Sequence, residues 1–251
     1  MGPALASHSR WHIGAKDLRG ALTAYAKRFD LLEVAATIGP HGEPAPALAT
    51  LRRWRKQVQP SFDFAVVAGP ALSRVKGGEV AEREIEAARA AMDALQARCF
   101  VLRTPTEVTP TSLWRERIAK VIARVPRDVT SFVWEPSGVW DVEDAAVQAR
   151  AWGVVLAVDP MHDPVPPGPV AYLRLRALGE TRSFGPAALE RVVEAVGERR
   201  EVYAVIETDT ALVEGKRLKQ IARSARAGAL GGGGRLVRPR GAIVVRDDEQ
   251  E

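Results

Sequence analysis

The chain has 251 residues, of which 46% are hydrophobic and 27% are charged, and this composition suits a globular protein with a substantial core. Its single cysteine, Cys99, excludes an internal disulfide framework, and no apolar run approaches the roughly 20 residues that a transmembrane helix needs. The net charge of +5 suggests nucleic acid as a partner only weakly, because stacking aromatic residues are not interleaved with the arginines.

Short β-like runs alternate with longer helical patterns along the chain. In chain order we predict strand 11–15, helix 18–29, strand 31–38, helix 46–58, strand 62–69, helix 79–95, strand 99–105, helix 112–125, strand 130–136, helix 142–152, strand 153–160, strand 169–178, helix 186–198, strand 201–209 and helix 211–227. Strands that are joined through helices run parallel, so the pattern predicts an α/β fold, a single-domain (β/α)₈ TIM barrel. A doubly wound open sheet is the alternative, but the glycine-rich turn that usually follows its first strand is missing.

The two ends of the chain fall outside this pattern. Residues 1–10 are predicted to be an N-terminal extension that lacks the features of a secretory signal, so we expect a cytoplasmic protein that does not contact membranes. Residues 228–251 contain four consecutive glycines, a basic stretch and an acidic end, and we expect a flexible tail that the barrel does not need for folding. The domain prediction is therefore a barrel over residues 11–227 with an extension at each end.

Charged side chains cluster where the predicted strands end, and in this fold those ends form the site. The candidate ligand-binding residues of this kind are Glu33, Glu135, Asp159, Arg174, Arg176 and Glu207. Arginine can bind a carboxylate or phosphate through two parallel hydrogen bonds, so the cluster could hold a polar or anionic ligand. Alternatively, the acids and arginines neutralise each other as a structural network, since an unpaired buried charge is costly.

Three further features bear on the chemistry. Trp140 follows the fifth strand and is predicted to form a wall of the pocket. The catalytic residues are unknown, and Glu135 and Asp159 are the candidates for a general base. The four histidines lack metal-ligand spacing, so neither a metal nor another cofactor is expected. Cys99 opens an apolar strand and is predicted to be a core thiol.

The order of "GAKDLRGALTAYAKRFDLLEVAAT", "FDFAVVAGP", "FVWEPSGVW", "LAVDP", "AYLRLRALG" and "EVYAVIETD" resembles the YecE-like family (domain of unknown function 72) over roughly residues 11–222. The resemblance implies a (β/α)₈ barrel of uncharacterised biochemical function. "EPSGVW" is the most specific part of the match, because it is similar to the E-P-R-G-x-W motif on the fifth strand of the family.

Several positions depart from the family pattern. The polar family residues are replaced by Ala35, Val67 and Ser137, the family histidine is Arg176, and the asparagine pair of the eighth strand is Glu207-Thr208. These changes imply either a different ligand or the loss of the original activity.

Three functional hypotheses follow. The first is a barrel that binds a small polar or anionic ligand at its C-terminal mouth, with or without catalysis, with Arg174 and Arg176 holding the anion, Glu33 and Glu135 orienting it and Trp140 beside it. The second is a hydrolase or phosphodiesterase that acts on a phosphate-containing or nucleic-acid substrate. The third is an interaction protein that uses its basic tail. Whether the cluster is a ligand site or only a structural network, Glu135 should lie within ion-pair reach of Arg174 or Arg176, with Trp140 close by.

Overall fold

The computed structural model describes residues 9–39, 42–125, 131–177 and 183–231. It contains eight strands, namely β1 (Arg10–Ala15), β2 (Leu31–Ala35), β3 (Asp63–Val67), β4 (Cys99–Thr104), β5 (Ser131–Pro136), β6 (Val155–Val158), β7 (Val170–Leu175) and β8 (Glu201–Ile206). The helices of these ranges are α1 (Leu22–Tyr25), α2 (Leu48–Gln57), α3 (Pro70–Ser73), α4 (Glu79–Leu95), α5 (Ser112–Arg124), α6 (Val142–Trp152), α7 (Pro186–Val196) and α8 (Ala211–Gly231).

The strands form one parallel sheet in the order β1-β8-β7-β6-β5-β4-β3-β2, which curves into a nearly closed barrel. The prediction of a (β/α)₈ barrel is therefore confirmed. Differences from the predicted elements are local. The first helix is limited to Leu22–Tyr25, and α3 was missed because four residues after a strand are too short to show a helical period.

Between β1 and β2, the side chains of Tyr25 and Asp30, together with one backbone hydrogen bond, take the place of the backbone ladder found between the other neighbouring strands. The hydroxyl of Tyr25 accepts from the amide of Ala15 at 2.8 Å and donates to the carbonyl of Leu31 at 2.8 Å. Asp30 accepts from the amide of Ile13 through its side chain at 2.7 Å and donates to the carbonyl of Ile13 through its own amide at 3.0 Å. These contacts satisfy backbone groups at the seam where the barrel closes.

Side chains alternate between the two faces of each strand, and this alternation builds two separate apolar layers. One layer packs the outside of the strands against the helices. The other fills the barrel interior with Leu31, Ala65, Cys99, Val101, Val133, Ala157, Tyr172, Tyr203 and Val205. Charged residues lie on both sides of this interior layer along the barrel axis, one cluster at the N-terminal ends of the strands and one at their C-terminal ends.

The charged group at the N-terminal ends of the strands, called here the floor cluster, consists of His12, Asp63, Arg98 and Glu201. The two ring nitrogens of His12 lie 2.7 Å from oxygens of Asp63 and Glu201, and Nε of Arg98 lies 3.3 Å from the second oxygen of Asp63. His12 also stacks on Tyr203 with ring centroids 4.7 Å apart. The cluster connects β1 with β3 and β8 at the N-terminal ends of these strands.

Two features concern the ends of the chain and its surroundings. Helix α8 runs to Gly231 and includes the first four residues of the predicted tail, whereas residues 1–8 and 232–251 lie outside the described residues. Within the described ranges, no helix is long and apolar enough to cross a membrane. The cytoplasmic location stays a prediction.

Candidate functional site

Six charged side chains from five strands meet inside the C-terminal end of the barrel. This mouth cluster consists of Glu33, Arg103, Glu135, Arg174, Arg176 and Glu207. Four of these residues lie at inward-facing positions of their strands, and Arg176 and Glu207 directly follow β7 and β8. All six continue the alternation of two residues that directs every second side chain into the barrel. Three guanidinium groups face three carboxylates, so the formal charges of the cluster balance.

Arg174 lies at the centre of the mouth cluster and is only 1% exposed. Its Nη1 and Nη2 atoms donate to the two oxygens of Glu33 at 2.7 and 2.6 Å, and its Nε donates to Glu135 at 2.8 Å. An oxygen of Glu207 lies 3.5 Å from Nη1, and the hydroxyl of Tyr172 donates to Glu33 at 2.6 Å. Every nitrogen of this guanidinium therefore has a carboxylate partner, as burial of a charge demands.

The buried charges stabilise each other in their ionised forms. Burial alone would raise the pKa of Glu33, but Arg174 and Arg103 outweigh burial and lower the pKa to about 2. Burial likewise opposes ionisation of Glu135, and the same two arginines hold its pKa below the ordinary value. The carboxylates raise the pKa of Arg174 despite its burial. Glu33 and Glu135 are consequently ionised near neutral pH and are poorly suited to accept a proton.

Arg103 and Arg176 are the accessible members of the cluster, with side chains 32% and 46% exposed. Arg103 donates through Nε to Glu135 at 3.1 Å and through Nη2 to Glu33. Arg176 donates through Nε to Glu207 at 3.1 Å and through Nη2 to Glu135. Glu135 thus holds both guanidiniums, and within the described part of the chain neither Nη1 atom makes a hydrogen bond or ion pair.

Asp159 follows β6 and lies beside the mouth cluster. Its two oxygens accept from the backbone amides of Met161 and Arg176, each at 3.1 Å. Burial raises its pKa more than these hydrogen bonds lower it. Asp159 therefore differs from Glu33 and Glu135, because its pKa is raised whereas theirs are lowered.

Trp140 has contacts on the outer side of β5. Its ring packs edge-on against Trp134 at a centroid distance of 4.8 Å, and its Nε1 donates to the carbonyl of Val108 at 2.6 Å. The guanidinium of Arg115 lies 5.3 Å from the ring centroid. These contacts put Trp140 in the layer between strands and helices, and its role as a pocket wall stays an untested prediction.

Several of the residues predicted as ligand-binding lie in contact with one another. Glu135 contacts both Arg174 and Arg176, as predicted, and Glu33 and Glu207 belong to the same cluster. Arg103 and Tyr172 were not among the predicted site residues. The signal for Tyr172 is the alternation in "YLRLR", which places it on the same face as the two arginines of that segment.

Metal-ligand groups and the thiol of Cys99 are the remaining features of the described ranges that could carry chemistry. No group of three or more His, Cys, Asp or Glu residues there could hold a metal ion. Burial raises the pKa of the Cys99 thiol strongly, so this thiol is protonated at neutral pH and belongs to the interior packing.

Comparison with known proteins gives both a sequence match and structural neighbours. The profile of the family described as "Protein of unknown function DUF72" matches residues 7–232. A DUF72 family protein from Enterococcus faecalis superposes with a TM-score of 0.68 at 16% identity, over 86% of this chain and 99% of that one. One from Thermotoga maritima gives a TM-score of 0.65 at 14% identity, over 85% and 99%.

A more distant neighbour is a xylose isomerase domain containing protein from Salmonella typhimurium. It superposes with a TM-score of 0.53 at 16% identity, over 88% of this chain and 97% of that one. At these identities, the structural neighbours establish a shared TIM-barrel fold. A comparison with curated proteins finds no match.

Proposed function

Because the chain belongs to the DUF72 family, whose function is unknown, no activity follows from its membership, and we propose from the geometry of the mouth that it binds a small anionic ligand. The observation that carries the proposal is the pair of accessible guanidiniums, Arg103 and Arg176, which are both held by Glu135 and whose Nη1 atoms have no partner among the described residues. Two oriented guanidiniums suit a carboxylate or phosphate.

The roles within the cluster differ from those in the hypothesis drawn from sequence. Arg174 has no free nitrogen, so it supports the site by holding Glu33 and Glu135 in place. Arg103 and Arg176 supply the donors, and Glu207 fixes the Nε atom of Arg176. Holding side chains in their bound orientation lowers the entropy that a ligand must remove.

Titration calorimetry with inorganic phosphate, and with citrate as a carboxylate probe, tests this proposal. The double variant Arg103→Gln/Arg176→Gln should lose at least about tenfold in affinity, because each substitution removes a charge-assisted donor. Arg191→Gln is the control, since Arg191 is an exposed arginine on α7 outside the cluster. Unchanged affinity in the double variant, or no binding of either probe at millimolar concentration, would reject the site.

A hydrolase is the second candidate, and Asp159 is the observation in its favour. Its raised pKa and its contact with the backbone of Arg176 place an acid–base group beside a cation that could bind phosphate. Hydrolysis of bis(p-nitrophenyl) phosphate should then fall at least about a hundredfold in Asp159→Asn, with phosphate affinity retained. Phosphate binding without any hydrolysis would support binding alone.

A further inference from the structure

A cavity lies at the opposite end of the barrel from the mouth cluster, where β5, β6 and β7 begin. Its volume is about 500 Å³, a size typical of small-molecule sites. Apolar side chains form much of its wall, including Phe132, Leu156 and Val165. None of the mouth-cluster residues lines it.

The local sequence explains why the barrel is open at this point. β6 begins at Val155 and pairs with β7 only from Ala157 onward, so the first two residues of β7 have no partner on β6. The preceding segment, 165–169, contains three prolines, which have no amide hydrogen to donate to a neighbouring strand. The missing pairs leave a gap between β6 and β7, and the cavity occupies it.

Three polar side chains belong to this cavity and have no partner within the described residues. Ser131 is 5% exposed, and its buried hydroxyl makes no hydrogen bond. Arg150 on α6 and Arg200 before β8 also line the cavity, are exposed, and take part in no hydrogen bond or ion pair through their side chains. A buried hydroxyl without a partner is unfavourable, and a ligand that supplies one would remove that cost.

We infer that this cavity binds an amphipathic organic anion, with an apolar chain or ring inside, a carboxylate or similar group at the two arginines and a hydrogen-bonding group near Ser131. The charge of the ligand follows from Arg150 and Arg200, which are the charged residues among the described residues that line the cavity. Its apolar body follows from the lining. This site is independent of the anion site proposed at the mouth.

Octanoate is a suitable probe, with octanol as its uncharged counterpart and 8-hydroxyoctanoate as the analogue that can reach Ser131. Calorimetry should detect octanoate binding, and Arg150→Gln/Arg200→Gln should weaken it at least about tenfold while leaving octanol unaffected. Ala146→Phe, which adds a ring to the cavity wall, should abolish binding of all three probes. Arg191→Gln serves as the charge-matched control.

Ser131 is tested by the hydroxylated probe. 8-Hydroxyoctanoate should bind at least about threefold more tightly than octanoate, because it satisfies the buried hydroxyl. Ser131→Ala should remove this difference and leave octanoate affinity and the melting temperature nearly unchanged. Octanoate binding that is absent, or equal in wild type, the arginine double variant and Ala146→Phe, would overturn the proposal. Equal affinity for octanoate and 8-hydroxyoctanoate would overturn the role of Ser131.

Discussion

The mouth cluster and the floor cluster both pair acidic and basic side chains inside the barrel, but they leave different groups available. At the mouth, Arg103 and Arg176 share Glu135, and within the described residues the Nη1 atom of each makes no hydrogen bond or ion pair. At the floor, His12 is 1% exposed and has a carboxylate at each ring nitrogen, and Arg98 is the single guanidinium of the cluster. The comparison teaches that buried ion pairs alone do not distinguish a candidate site, and that the proposal of a ligand site at the mouth rests on the unpaired Nη1 atoms of Arg103 and Arg176.

The largest expected effect is the removal of the central cation of the mouth. Arg174→Met should lower the free energy of unfolding by about 3–5 kcal/mol, because it leaves Glu33 and Glu135 buried without their main partner. Urea denaturation measures the change, with Arg191→Met as the exposed control. A loss below about 1 kcal/mol would mean that the network contributes little to stability.

Removing the acid from the same network should have a similar or slightly smaller effect. Glu135→Gln takes one partner from Arg103, Arg174 and Arg176 together, and we expect a loss of about 3 kcal/mol in urea denaturation. Unchanged stability with altered phosphate affinity would instead show that Glu135 serves the ligand alone.

Lowering the pH should reduce the stability of the fold gradually, through protonation of Glu33 in the mouth cluster. The pKa of Glu33 falls from its ordinary 4.5 to about 2 on folding, so its carboxylate stabilises the fold fully above pH 4.5. This stabilisation, about 3 kcal/mol, is lost progressively as the pH falls from 4.5 toward 2. Urea midpoints measured between pH 7 and pH 2.5 check this, and the decline should be shallower in Arg174→Met. A flat profile in the wild type would contradict it.

The floor cluster should respond less strongly than the mouth. His12→Leu removes charge-assisted contacts to Asp63 and Glu201, and we expect a loss of about 1.5–3 kcal/mol in urea denaturation. The loss is smaller because Asp63 keeps Arg98 and because the side chain of Glu201 is 15% exposed. Phosphate affinity at the mouth should not change, and a change there would show that the two ends are coupled.

The smallest effect on stability is expected at an exposed donor. Arg176→Gln should cost less than about 1 kcal/mol, because the side chain is 46% exposed and water screens its contacts. The same variant should weaken phosphate binding several-fold. A large loss of stability with no change in binding would place Arg176 with Arg174 as a structural residue.

Much of the site was predictable from local pattern. The positions of Glu135, Asp159 and Glu207 at strand ends, and of Arg174 and Arg176 on one face, follow from strand alternation and from the parallel order of the strands. The floor cluster was not predictable in this way. His12 has no nearby acid in the sequence, and its partners Asp63 and Glu201 reach it only because β1 lies near β3 and beside β8.

The sequence by itself determined the alternation of strands and helices and the barrel, because periodicity and turn residues act over a few neighbouring positions. The family was indicated separately, by the resemblance of short motifs such as "EPSGVW" and their order. Only the tertiary structure decided which arginine is saturated and which keeps a free donor. Arg174 and Arg176 are two residues apart with the same chemistry, yet one is 1% and the other 46% exposed. Their difference arises from depth along the barrel axis, because carboxylates from β2, β5 and β8 surround Arg174 while Arg176 lies at the rim.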